Sequence, residues 1–119
     1  MSETVTLKQN TDFHRAYGRG KSCASPVLVT YVVRNRCQCC RVGITTSKKI
    51  GNAVERNRCR RIIRAAFSAM KNECKDGYDI VFVARFKTKQ VKTQDIALAM
   101  REHLENLGVI KKCEGAQSE

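Results

Sequence analysis

The sequence has no apolar run that approaches the ~20 residues needed to span a membrane. Its first residues, Met1 to Thr4, also lack the basic and apolar regions of a secretory signal. These two absences predict a soluble protein of the cytoplasm with no membrane partner. The chain of 119 residues is 42% hydrophobic, which suits one compact core and is too short for two ordinary domains. We therefore expect a single domain over residues 1–112 and a disordered tail over residues 113–119.

A disulfide framework is not indicated, although the sequence contains seven cysteines. An odd count without an export signal favours reduced thiols. Three cysteines lie in the run Cys37-Gln38-Cys39-Cys40, but this run lacks the Cys-x2-Cys spacing that structural zinc sites use. These cysteines could bind a metal, respond to redox conditions or have no chemical role. The last interpretation is favoured. We expect no metal to be bound tightly by the protein.

The sequence also lacks the combinations of residues that form known catalytic sites. His14 and His103 are isolated, without a serine, cysteine or carboxylate to complete a triad, and both are expected at the surface. Asp76, Asp79 and Asp95 are scattered, unlike the clustered carboxylates of a two-metal nuclease. We therefore expect no catalytic residue in this chain.

Basic residues, in contrast, are abundant and unevenly placed. The net charge of +12 points to a polyanionic partner, either a nucleic acid or an anionic membrane surface. Between Phe13 and Asn72 there are 14 lysines and arginines and one acid, Glu55, so almost all excess positive charge lies in this segment. One face or one half of the protein is predicted to contact phosphate.

Three segments are predicted to be β-strands: Val27 to Val33, Arg41 to Thr46 and Tyr78 to Arg85. Only a polar connector separates the first two, so they are expected to pair as an antiparallel hairpin. The third supplies another strand of the same sheet.

Three helices are also predicted. The first begins near residue 10 and places Phe13 and Tyr17 on one face. The middle helix runs from Val54 to about Lys75, a stretch without glycine or proline. The last starts with Thr93 as its cap and stops at Gly108.

The middle helix has one apolar and one cationic side. At 100° per residue, its apolar side consists of Cys59, Ile62, Ile63, Ala66, Phe67, Met70 and Cys74. The opposite side carries Arg60, Arg61, Arg64 and Asn57. An ordinary solvated helix face mixes the two signs of charge, whereas five arginines within nine positions repel one another. This pattern indicates an anionic partner, and arginine favours recognition of phosphate through paired hydrogen bonds.

The segment from Ser47 to Arg64, SKKIGNAVERNRCRRIIR, resembles the motif of the bacterial ribonuclease P protein family, in which a lysine-rich turn leads into an Arg-Asn-Arg helix. Looser similarity extends over residues 7–112. The sequence departs from the family in its cysteine-rich connector and at Cys59, where the family has an aliphatic residue. Neither departure alters the arginine pattern.

This resemblance implies an α+β fold, a two-layer α-β-β-β-α-β-α sandwich with a left-handed β-α-β crossover, like the second domain of ribosomal protein S5. It also implies a noncatalytic protein subunit of an endoribonuclease whose catalyst is a large RNA. That RNA uses magnesium ions to remove the 5′ leader of precursor tRNA, while the protein strengthens substrate binding. The implied partners are the catalytic RNA and precursor tRNA, with no obligate protein partner.

The resemblance also assigns two sets of residues. The RNA-binding residues of the lysine turn and the arginine helix are Lys48, Lys49, Asn52, Arg56, Asn57, Arg58, Arg60, Arg61 and Arg64. The residues that line the family's leader-binding cleft match Phe13, Tyr17, Val29 and Tyr31. Stacking on aromatic rings in a cationic groove tolerates any sequence, which suits leaders that differ between tRNAs. Plain core packing is the alternative for Phe13 and Tyr17.

Two other functions compete with this one. A ribosomal protein would share the size, the charge and a related fold. A protein-only nuclease would need a metal site built from cysteine or histidine, and the missing carboxylates disfavour it.

Overall fold

The computed structural model describes residues 4–6, 10–35 and 39–110, with the side chains of residues 13–35 and 39–110. The elements in chain order are β1 (Thr4–Thr6), α1 (Asn10–Arg19), β2 (Lys21–Ala24), β3 (Leu28–Arg34), β4 (Cys40–Thr45), α2 (Ala53–Ser68), β5 (Tyr78–Ala84) and α3 (Thr93–Asn106). After β1 the order is α-β-β-β-α-β-α, which confirms the expected α+β fold. None of the described helices is long and apolar enough to cross a membrane. The expected tail, residues 113–119, lies outside the described residues.

The described strands form one sheet in the order β1-β4-β5-β3-β2. β4 is parallel to β1 and β5, and β3 is antiparallel to β5 and β2. The predicted hairpin of β3 and β4 is therefore wrong, because β5 lies between them. β5 is apolar from Ile80 to Ala84 and almost entirely buried, which suits a central strand covered on both faces. α2 connects β4 to β5, two adjacent parallel strands.

The short strands β1 and β2 are not indicated by the sequence pattern. β2 has the mixed sequence Lys-Ser-Cys-Ala, pairs with β3 at one edge of the sheet and is largely exposed. An exposed edge strand needs no apolar face, so it carries no alternation from which it could be predicted.

Alternate residues of the central strands face different helices. Leu28 and Val32 of β3 and Ile80 and Phe82 of β5 belong to the main core, which they share with α2 and α3. On the other face, Val81 forms a smaller cluster with α1. The sheet is thus covered by α2 and α3 on one side and by α1 on the other.

The apolar side of α2 is buried as predicted, at Cys59, Ile62, Ile63, Ala66 and Phe67. The helix ends at Ser68, however, and not near Lys75. Met70 remains buried in the turn that follows, and Cys74 forms a β-bridge with Ile110 after α3. The predicted helix is too long because the chain turns after Ser68 and Cys74 then pairs with Ile110, beyond the end of α3.

His103 is buried, with 2% of its surface exposed, so its predicted surface position is wrong. It lies on the buried face of α3, together with Met100, which is three positions before it, and Leu104, which directly follows it. Its Nδ1 is 2.8 Å from Oγ1 of Thr30 on β3, which provides the hydrogen bond that a buried imidazole needs. His14 is exposed, as expected.

A buried ion pair fixes the start of β5. The carboxylate of Asp79 is fully buried and accepts hydrogen bonds from Nε and Nη2 of Arg41 at 2.7 and 2.8 Å. Nδ2 of Asn35 donates a third at 2.7 Å. These contacts join the ends of β3, β4 and β5.

Candidate RNA-binding surfaces

The N-terminus of α2 is closed by a reciprocal cap. Oδ1 of Asn52 accepts a hydrogen bond from the backbone N–H of Glu55 at 2.9 Å, and the Asn52 N–H donates to Oε1 of Glu55 at 3.1 Å. Gly51 has a φ of 153°, and a Cβ atom there would collide with the Glu55 carboxylate. A side chain at position 51 would therefore displace the Glu55 carboxylate from this cap and strain the backbone. Asn52, predicted to bind RNA, uses its side-chain oxygen to cap the helix.

Glu55 also binds Lys89, which follows β5. Nζ of Lys89 is 3.2 Å from Oε2 of Glu55 and donates to the carbonyl oxygen of Ile50 at 2.7 Å. The hydrogen bond from Lys89, followed by the one from Asn52, lowers the pKa of Glu55. The single acid of the basic segment is thus engaged within the protein.

The arginines of α2 form an exposed cationic face, which we call the arginine face. Arg58, Arg61 and Arg64 are exposed, and within residues 13–35 and 39–110 no carboxylate lies within ion-pair distance of them. Arg60 is half-buried and donates to Oδ1 of Asn57 at 3.0 Å. Arg56, also half-buried, donates to the carbonyl oxygen of Gly51 at 3.1 Å.

Two open grooves run along the arginine face. One is lined by Val54, Asn57, Arg60, Arg61 and Arg64. The other is lined by Arg58, Arg61, Ile62, Ala65, Val91, Lys92 and Thr93. The second groove adds Lys92 and Thr93, at the start of α3, to the candidate surface. Sequence reasoning missed them because only the packing of α3 against α2 brings them there.

The lysine turn precedes this helix. Lys48 and Lys49 are exposed in a 3₁₀ turn, whereas Ile50 is 3% exposed and anchors the turn in the core. The two ammonium groups therefore extend from a fixed position beside the N-terminus of α2.

A second candidate surface lies on the other face of the sheet. The rings of Tyr17 and Tyr31 meet edge to face, with centroids 4.9 Å apart. Phe13 and Tyr31 both pack against the small cluster that Val81 forms with α1. Tyr17 is 40% exposed and its hydroxyl donates to Oγ1 of Thr45 at 3.5 Å. Val29 is half-buried and shares a strand face with Tyr31. All four predicted cleft residues are thus on one side of the sheet. Tyr17 is exposed, whereas the other three are half-buried.

No three histidine, cysteine or acidic side chains in the described part of the chain lie close enough together to hold a metal ion. The carboxylate of Asp79, which could offer oxygen ligands, is already bound by Arg41 and Asn35.

Four cysteines of the described residues are free thiols: Cys23, Cys40, Cys59 and Cys74. Contact with Cys74 and burial raise the pKa of Cys40, and burial raises the pKa of Cys59. Both thiols therefore stay protonated and unreactive at neutral pH. Cys37, the first member of the predicted cluster, lies outside the described residues.

Comparison with known proteins identifies the family. A family model described as Ribonuclease P matches residues 1–108. The chain belongs to the ribonuclease P protein family. It is 45% identical to the ribonuclease P protein component of Clostridioides difficile strain 630 over 96 residues, which cover 80% of this chain and 84% of that protein.

Solved ribonuclease P proteins share the fold. The Staphylococcus aureus protein aligns with a TM-score of 0.81 and 34% identity over 92% of this chain and all of that one. The Thermotoga maritima protein aligns with a TM-score of 0.68 and 30% identity, covering 86% of this chain and 93% of that one. Membership of the ribonuclease P family argues against a ribosomal protein. The roles of individual residues on both candidate surfaces stay predictions.

Proposed function

We propose that this chain binds the catalytic RNA of ribonuclease P through the arginine face and the lysine turn. The observation that carries this proposal is the arrangement of charge at α2. Arg58, Arg61 and Arg64 are exposed, while the carboxylate of Glu55, the single acid of the basic segment, is occupied by Asn52 and Lys89. RNA phosphates would relieve the mutual repulsion of the arginines and release condensed counterions.

The second part of the proposal concerns precursor tRNA. The cluster of Phe13, Tyr17 and Tyr31 would hold the single-stranded 5′ leader, because a partly exposed aromatic ring can stack on any base. Phe13 and Tyr31 are half-buried, so Tyr17 offers the largest ring surface.

Catalysis itself belongs to the RNA in this proposal. Magnesium held by the RNA supplies the metal-ion chemistry of phosphodiester hydrolysis. The protein binds and orients the substrate in the cytoplasm and contributes no catalytic group. It therefore acts as a subunit of the ribonucleoprotein endonuclease, without an obligate protein partner.

Reconstitution tests this function. The full chain is combined with a ribonuclease P RNA, and removal of the 5′ leader from precursor tRNA is measured at low magnesium. We expect faster cleavage than with the RNA alone and no cleavage by the protein alone. Cleavage by the protein without RNA would instead indicate a protein-only nuclease, and no effect on the RNA would refute the proposal.

A further inference from the structure

Phe86 is an unusual surface residue. It lies in the 3₁₀ turn Phe86–Gln90, directly after β5, and 56% of its surface is exposed. Nζ of Lys89 lies 4.3 Å from the centroid of its ring, in a cation–π contact. Lys89 thus covers one part of the ring, and the exposed remainder is open to a ligand.

The turn that carries Phe86 is anchored at several points. Thr88 is fully buried, donates to the carbonyl oxygen of Val27 at 2.6 Å and accepts from the backbone N–H of Arg85 at 2.8 Å. Lys89 is held by Ile50 and Glu55, as described above. The ring is therefore presented from a fixed backbone, so little conformational entropy is lost when a ligand binds.

The surroundings of the ring are cationic. The turn packs against the lysine turn, which carries Lys48 and Lys49. Arg85 and Lys87, on either side of Phe86 in the sequence, are both exposed. A single exposed apolar side chain needs no explanation by itself. A ring fixed by an ammonium group within a basic surface, however, matches the way proteins bind single-stranded nucleic acids.

The position of Phe86 connects it with the aromatic cluster. Tyr17 contacts Thr45 at the end of β4, and Thr45 is aligned with Val83 of β5. Phe86 follows Val83 by three residues, which corresponds to about 10 Å of extended chain. Tyr17 and Phe86 are therefore both near the C-terminal ends of the parallel strands β4 and β5.

We propose that Phe86 is a second stacking site for a base of the single-stranded 5′ leader, beyond the base held at Tyr17. This inference rests on the proposed function, because it assumes that the leader crosses the cluster at Tyr17. The basic side chains around Phe86 bind the phosphates next to the stacked base.

Tryptophan fluorescence provides a direct test. The sequence has no tryptophan, so Phe86→Trp introduces a single tryptophan at the proposed site. The variant is reconstituted with a ribonuclease P RNA and titrated with precursor tRNA. A long leader should quench the emission, whereas a one-nucleotide leader should leave it unchanged. Leu98→Trp is the matched control, since Leu98 is 70% exposed on α3, and it should not respond.

Affinity provides the second measurement. In the holoenzyme, Phe86→Ala should weaken binding of a long-leader precursor about 5-fold or more, whereas Phe86→Tyr should retain the affinity. Quenching by the catalytic RNA alone would assign Phe86 to that RNA and overturn the proposal. Unchanged emission together with unchanged affinity of Phe86→Ala would also overturn it. Failure of the proposed function is distinct, because the wild-type protein would then not stimulate cleavage at all.

Discussion

Glu55 illustrates how one residue keeps a basic surface available. Its carboxylate binds the backbone N–H of Asn52 and the ammonium group of Lys89, both of which lie at the N-terminus of α2. A carboxylate beside a helix N-terminus also stabilises the helix dipole. Because these partners occupy it, Glu55 stabilises the helix without neutralising Arg58 or Arg61.

His103 makes the stability of the protein depend on pH. Burial lowers its pKa, and the nearby Glu102 offsets this effect only in part. The unfolded chain, in which histidine has a pKa of about 6.5, therefore binds more protons than the folded chain below that pH. We expect the melting temperature to fall as the pH is lowered from about 7.5 to about 5, as followed by circular dichroism.

The two histidines of the chain provide the control for this prediction. His103→Gln keeps a polar partner for Thr30 and should reduce the pH dependence over this range. His14→Gln, at an exposed position, should leave it unchanged. Equal behaviour of both variants would assign the effect to other groups.

The aromatic cluster allows leader binding to be separated from binding of the RNA core. Changing Phe13 and Tyr17 together to leucine keeps apolar bulk but removes most of the ring surface. Affinity for precursors with long leaders should fall by roughly 1–3 kcal/mol, the contribution of one stacked base. Assembly with the catalytic RNA and cleavage at saturating substrate should be retained, as measured by titration and single-turnover kinetics.

A precursor with a one-nucleotide leader is the control, because its leader is too short to reach the cluster. Its affinity should hardly change. An equal loss for long and short leaders would mean that the two rings serve the core or contact the tRNA body.

At the scale of elements, substitutions on the cationic side of α2 should affect RNA binding, and substitutions on its apolar side should affect stability. Replacing Arg60 and Arg64 with alanine leaves the apolar side intact, so the free energy of unfolding should change by less than about 1 kcal/mol. Affinity for the catalytic RNA should fall. The slope of log affinity against log salt concentration should also become shallower, by an amount that corresponds to the loss of up to about two phosphate contacts. Filter binding at several salt concentrations measures both quantities.

Phe67→Ala is the matched substitution on the opposite side. Phe67 is 6% exposed and its ring centroid is 5.7 Å from that of Phe82. Its loss should cost about 3–5 kcal/mol of stability while leaving the arginines in place. If the variants at Arg60 and Arg64 unfold, this would show that those two side chains have a structural role.

The helices were more predictable than the sheet. The apolar repeat of α2 reports burial directly, and the predicted residues from Cys59 to Phe67 are buried. Strand pairing, in contrast, depends on contacts between distant segments. Nothing in β3 or β4 reveals that β5 separates them, and the burial of His103 depends on the packing of α3 against β3. For the same reason Lys92 could not be placed beside Arg58.

At the scale of the whole molecule, the surplus of positive charge should couple anion binding to stability. The chain carries a net charge of +12, and its arginine face crowds like charges in the folded state. Sulfate or phosphate that binds the folded form preferentially will raise the melting temperature. We expect this rise when sulfate replaces chloride at constant ionic strength. A melting temperature that does not change would contradict an anion-binding surface.

The central position of β5 also determines when the protein can fold during its synthesis. β3 and β4 leave the ribosome first, but each needs β5 to complete its hydrogen bonds. Until residues 78–84 have been made, both strands present unpaired edges, and such edges promote association between nascent chains. The sheet consequently closes late, through contacts between distant parts of the sequence, which slow folding. A nascent chain that stalls before β5 would expose its arginine helix before it has a core to support it.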